Sequence, residues 1–137
     1  MSGESGTAGT TGETGAILRL VAGALTDARA LTLEHEPVPA EQVVAGSPTT
    51  AYVALDESTA GEIGVWEMSV GAMRDVEVDE VFVVLAGAAT VEFEHVPSTG
   101  RPADPIVLAP GAVVRLEAGM KTIWTVREPL RKVFISR

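Results

Sequence analysis

Glu80 stands directly before the apolar run VFVVLAG and is the carboxylate best placed for chemistry. If the alternation from Val76 holds, Glu80 shares a face with Phe82 and Val84. That face points into an interior. Burial among apolar neighbours makes a carboxyl group a better proton acceptor, which suits a general base. The other reading is a carboxylate fixed by Arg74 or another arginine, because buried carboxylates are rare unless paired or used. Arg74 is itself a candidate, since a guanidinium grips a substrate carboxylate with two parallel hydrogen bonds. It also reads as a rim residue paired with Asp75 or Glu77. Trp66 and Trp124 are the only tryptophans. Large aromatics either wall a ligand pocket or fill a core. We favour core for Trp66 and pocket wall for Trp124.

Other candidates are weaker. Alternation in VEVDE (76–80) sends Glu77 and Asp79 to the face opposite Glu80, so the three do not converge on a hard cation. His35 lies between two glutamates in a loop and reads as exposed. His95 ends an alternating strand and reads as a rim residue without a partner motif. Tyr52 is explained by strand packing. No glycine-rich phosphate loop and no Gly-x-Ser-x-Gly elbow is present.

The elements that must position these residues are strands. Residues 1–16, MSGESGTAGTTGETGA, read as a disordered tail, since nothing in them offsets the entropy of ordering. ILRLVAGAL (17–25) reads as a first strand or a short helix. Residues 25–48 are loop-like, with a short edge strand within LTLEHEPVP. From Pro48 onward, strand and turn signals alternate every 8–12 residues, the pattern of a sandwich or barrel. ATVEFEHV alternates cleanly, with Val91, Phe93 and His95 on one face. Residues 17–137 are thus expected to form a single β-barrel domain.

Composition narrows the function classes. The 137 residues suffice for one domain with a core. There is no cysteine, hence no disulfide, thiolate metal site or cysteine nucleophile. A net charge of −9 repels phosphate backbones and anionic membranes, so neither nucleic acid nor membrane is an expected partner. No apolar run approaches the roughly 20 residues needed to span a bilayer. The start of the chain lacks the basic and apolar regions of a secretory signal, and a cytoplasmic location is expected.

With Glu80 and Gly87 separated by six residues, and glycines at 71, 111 and 119, this order of elements resembles the cupin superfamily. The tail GMKTIWTVREPLRKVFISR is similar to a subgroup of small single-domain cupins related to ureidoglycine aminohydrolases and ethanolamine-utilisation cupins. The Gly-Val-Trp-Glu strand at 64–67, Asp79–Glu80, Trp124 and Arg131–Lys132 carry that similarity, which covers roughly residues 28–137. The resemblance implies an all-β jelly-roll barrel. It also implies a metal held by two histidines and a glutamate of the first motif and a histidine of the second. Here only Glu80 remains. Arg74, Val76 and Val78 stand at the other positions on its face, and Thr122 falls at or near the second motif's histidine. One carboxylate does not hold a first-row metal usefully, so no cofactor is expected; a metal bound through Glu80 and water is the residual alternative.

The expected function is binding of a small polar or carboxylate ligand in the barrel, by Trp66, Arg74, Glu80, Phe82, Thr122 and Trp124. The alternative is an enzyme of the ureidoglycine aminohydrolase or isomerase type with Glu80 as catalytic base. A homodimer is also expected, pairing through sheet edges or an exchanged strand at 17–25.

Overall fold

A computed structural model describes residues 19–137 of the chain. The expected tail at 1–16 lies outside the described residues. So do the first two residues of the candidate exchange segment; the rest of it, 19–25, is neither strand nor helix.

The described residues form nine strands and one turn of 3-10 helix, Ala40–Gln42. The strands are β1 (Glu36–Pro37), β2 (Val43–Ala45), β3 (Thr49–Ser58), β4 (Gly61–Met68), β5 (Gly71–Val76), β6 (Glu80–Val96), β7 (Arg101–Leu108), β8 (Val113–Leu116) and β9 (Lys121–Ser136). All pairings are antiparallel. The all-β architecture expected from the sequence is what these strands form. Among the described residues no helix is long and apolar enough to cross a membrane.

Two long strands organise the roll. β6 and β9 pair with each other along most of their length. The first part of β6 and the last part of β9 lie between β8 and the β4–β3–β1 edge. The last part of β6 and the first part of β9 lie between β7 and the β5–β2 edge. The two halves of the curled sheet are therefore continuous through β6 and β9. The strands alternate β-branched and aromatic residues with polar ones, which fits a pleated surface with one buried face. Met68, Phe82, Val91, Leu108, Leu116, Trp124, Val126 and Leu130 form the core between the halves.

The middle of β6 carries a bulge. Its register against β9 shifts repeatedly between Val84 and Ala89. Glu80, Phe82 and Val84 point inward before the bulge, and Ala89, Val91 and Phe93 after it. An extra residue inverts the side-chain parity, as a bulge must. Gly87 sits at this point with φ +101°, and a Cβ there would lie 2.2 Å from the Pro129 carbonyl oxygen. The backbones of β6 and β9 thus touch where the sheet changes partners. Gly87 thus lies at a bulge inside one 17-residue strand.

A second parity change corrects the reading of VEVDE. β5 ends at Val76, and residues 77–79 leave the ladder before β6 begins. Within this stretch, Glu77 turns inward, while Val76 and Val78 are exposed. The Glu77 backbone is held by the 117–120 turn through Glu77 N–H to Met120 C=O (2.9 Å) and Gly119 N–H to Glu77 C=O (2.9 Å). Uninterrupted alternation placed Glu77 opposite Glu80. The break puts both carboxylates inside.

Candidate functional site

The barrel interior holds a lysine. Lys132, on β9, is fully buried, and its Nζ donates to Glu80 Oε2 at 2.6 Å. Register puts Lys132 opposite Trp66 on β4 and Val84 on β6. From there its chain reaches along the interior to Glu80. The ammonium lies 4.3 Å from the Phe82 ring centre, 4.8 Å from Trp124 and 4.9 Å from Trp66. Aromatic faces attract a cation, the more so when it is desolvated. Four of the six candidate ligand residues, Trp66, Glu80, Phe82 and Trp124, are thus gathered at one place. They converge on Lys132, which sequence reading passed over as part of a closing Arg-Lys pair. Glu80 is paired, and its partner is a lysine rather than Arg74.

Glu77 forms a second buried centre beside the first. Thr122 Oγ1 donates to Glu77 Oε2 at 2.6 Å, and Trp124 Nε1 donates to the same oxygen at 2.9 Å. Glu77 Oε1 is buried without a hydrogen-bond partner. Trp124 links the two centres, with one side on Lys132 and its indole N–H on Glu77. Asp75, two residues before Glu77, is pushed up to about 7, first by burial and then by the negative charge of Glu77. Two acids brought close in a low-dielectric site resist ionising together. Alternation places Glu77 on the face opposite Glu80, and the break at 77–79 brings it inside instead.

The mouth of the barrel opens beside Thr122. A cleft of about 260 Å³ is lined by Gln42, Arg74, Asp75, Val76, Glu94, Lys121 and Thr122. Arg74 is exposed on β5, and Gln42 donates to its backbone carbonyl at 3.4 Å. Sequence reading put Arg74 on the face of Glu80. The break at 77–79 puts Arg74 out of phase with Glu80, and Arg74 lies on the rim together with Lys121. Neither pairs with Asp75, Glu77 or any other carboxylate among the described residues. His95 stands opposite Lys121 in register, half-buried at the same rim.

The donor set does not suit the metal that the fold implies. Among the described residues no three of His, Cys, Asp and Glu come together in a way that could hold a metal ion. The one retained ligand-type residue, Glu80, faces an ammonium.

A third cluster lies outside the barrel. His35 Nε2 and Glu67 Oε2 are 2.5 Å apart, and His35 Nδ1 is 2.8 Å from Thr49 Oγ1. Arg131 donates through Nε (2.8 Å) and a terminal nitrogen (2.5 Å) to Glu67 Oε1, and to the Ala28 carbonyl at 2.9 Å. His35 is exposed, as expected, and is also tied to the sheet at both ring nitrogens.

A small all-β roll with a glutamate at the head of β6 defines the class, and sequence comparison defines the family. Residues 55–134 match the EutQ-like cupin domain, and the chain belongs to that family. Among solved structures it is similar to the EutQ protein of Clostridium difficile, with 18% identity and a TM-score of 0.53 over 65% of this chain and 68% of that one. It is similar to a DUF861-family protein of unknown function from Pseudomonas syringae pv. tomato, with 20% identity and a TM-score of 0.60 over 80% of this chain and 46% of that one. A protein of unknown function from Rhizobium leguminosarum shares 17% identity and a TM-score of 0.54 over 64% of this chain and 79% of that one. These likenesses concern the fold. A comparison with curated proteins found no match.

Proposed function

We propose that this cupin binds a small polar ligand bearing a carboxylate at the mouth of its barrel, and that it does so without a resident metal. One observation carries the reading: the interior position beside Glu80 is filled by the chain's own ammonium, while Arg74 and Lys121, which pair with no carboxylate among the described residues, line an open cleft. Arg74 and Lys121 are the groups to receive a carboxylate. Thr122, backed by Glu77 and Trp124, forms the inner wall. Gln42, Asp75 and Glu94 supply polar partners for an amine or amide on the same ligand.

Trp66, Phe82 and Glu80 serve this site from behind. They hold Lys132, and Lys132 and Trp124 hold the wall. Glu80 acts in this reading as the counter-ion of Lys132 rather than as a base.

Thermal melting with a panel of small carboxylates and ureides tests the proposal. A ligand that binds only the folded state raises the melting temperature. At least one compound should do so, and the rise should vanish in the Arg74→Ala, Lys121→Ala double variant. A panel without any shift, or a shift indifferent to both substitutions, would defeat the proposal.

A further inference from the structure

We infer that the outer cleft is a second chemical site, in which Thr49, His35 and Glu67 form a hydroxyl–imidazole–carboxylate relay for acyl transfer from small esters. The cleft measures about 580 Å³ and is lined by His35, Thr49, Glu67, Ser69 and Arg29 over an apolar floor that includes Leu130. It is separate from the barrel mouth, with which it shares no lining residue.

The relay is built by sheet register. His35 directly precedes β1, and β1 pairs with the start of β3 through Pro37 opposite Thr49. Glu67 pairs with Ala51 on one side and Arg131 on the other. Ser69 follows β4, and its N–H donates to the Thr49 carbonyl at 2.9 Å. Neighbouring strands therefore deliver the hydroxyl, the ring and the carboxylate at one level. The Thr49 hydroxyl stands 2.8 Å from His35 Nδ1, and the opposite ring nitrogen stands 2.5 Å from Glu67. A nucleophile, a base within hydrogen-bond reach and a third group that orients the base are the parts such chemistry requires. Arg131 saturates the other oxygen of Glu67 and so keeps Oε2 turned to the imidazole.

The chemistry balances with groups present. Thr49 Oγ1 bonds to the ester carbonyl carbon as its proton passes to His35 Nδ1. Glu67 accepts the hydrogen bond from Nε2–H and stabilises the imidazolium. The tetrahedral intermediate collapses, the bond to the leaving oxygen breaks, and His35 returns the proton to the departing alcohol. Water, giving a proton to His35, then attacks the acyl-Thr49 ester. Thr49 recovers that proton as it leaves, and the free acid is released. At rest the Thr49 hydroxyl donates to Ser69 Oγ at 3.1 Å and turns to His35 Nδ1 for the attack; the Ser69 hydroxyl and Arg29, which line the same cleft, are the donors available to the developing oxyanion.

The test uses the full chain and p-nitrophenyl acetate. The wild type should release p-nitrophenol above the buffer rate and carry an acetyl group on Thr49, located by mass spectrometry of the trapped protein. Thr49→Val and His35→Gln should each lower the rate by about 100-fold or more, the scale of acid–base assistance. Thr49→Ser should retain it. Melting temperatures of all variants separate lost chemistry from lost folding, and Thr49→Ser keeps the hydroxyl even if Thr49→Val unfolds. A network that only pins the 27–37 segment to the sheet would give no acetyl-Thr49. Wild-type release at the buffer rate, acetylation elsewhere, or an undiminished rate in a folded Thr49→Val variant would each overturn the inference.

Discussion

Lys132 and Glu80 join β9 to β6 through the barrel interior, Nζ to Oε2 at 2.6 Å, with both side chains out of reach of solvent. Their separation along the roll explains the geometry. Register sets Lys132 opposite Val84, four residues beyond Glu80, so the extended side chain spans the inward row Val84, Phe82, Glu80. The stem packs along apolar surface, and the head meets a carboxylate and three rings. The barrel interior is closed by the chain's own cation.

Asp75 makes stability depend on pH at that mouth. Its folded value is raised from 3.8 to about 7 by burial and by Glu77. The unfolded chain loses this proton first. Asp75 therefore favours the folded state at low pH, and that contribution is lost as pH rises from about 4 to about 7. The slope is at most about 1.4 kcal/mol per pH unit from one group. Arg74, Lys121 and Glu94 also line the cleft, so the measurement is a difference. Denaturant unfolding at pH 5 and pH 8 should show wild type losing more stability than Asp75→Asn across that interval. Equal losses would remove the assignment.

Glu77 is the second cause of that shift, and it can be tested alone. In Glu77→Gln the Asp75 carboxyl should titrate at lower pH by NMR, since a nearby negative charge is gone. No movement would mean that burial alone holds Asp75 up.

Thr122→Val preserves shape and removes a donor. Glu77 Oε2 would keep only Trp124, with Oε1 already unpartnered. The expected loss is about 1–3 kcal/mol, the cost of leaving a buried acceptor short of a partner. Equilibrium unfolding in urea reads it directly, and a neutral substitution would show that this hydrogen bond does not hold the wall.

Gly87→Ala tests the contact between β6 and β9. The new Cβ would lie 2.2 Å from the Pro129 oxygen and 2.6 Å from the Leu130 Cα, both backbone atoms. Gly111, with φ +94°, has nothing within 4 Å of its added Cβ and isolates the conformational term. Gly111→Ala should cost about 1–2 kcal/mol from its left-handed backbone alone. Gly87→Ala should cost clearly more. Equal melting shifts for the two would refute the close approach.

The strand pattern was readable because alternation and turn residues are local signals. The barrel, the edge strand near Pro37 and the closeness of Glu80, Phe82 and Trp124 all follow from it. Two parity changes were not readable. The break at 77–79 and the bulge at Gly87 depend on backbone partners on β9 and in the 117–120 turn, far away in sequence. Arg74 moved to the rim and Glu77 moved inside for that reason. Lys132 was missed for a different one: a lysine in a strand usually faces water, and only the three rings and Glu80 make its burial tolerable. A lysine alternating in step with Leu130 and Phe134 was the available hint. His35 gave no local signal at all, because its partners come from β3 and β4.

The most direct test of the filled barrel is a double-mutant cycle on Lys132 and Glu80, read by urea unfolding. Lys132→Met leaves a buried carboxylate alone and should cost about 3–5 kcal/mol, as broken buried pairs do. Glu80→Gln leaves the ammonium with its rings only and should also destabilise. The combined variant should be far more stable than the sum predicts, with a coupling of at least about 2 kcal/mol. Additivity within about 0.5 kcal/mol would contradict a Lys132–Glu80 pair inside the barrel.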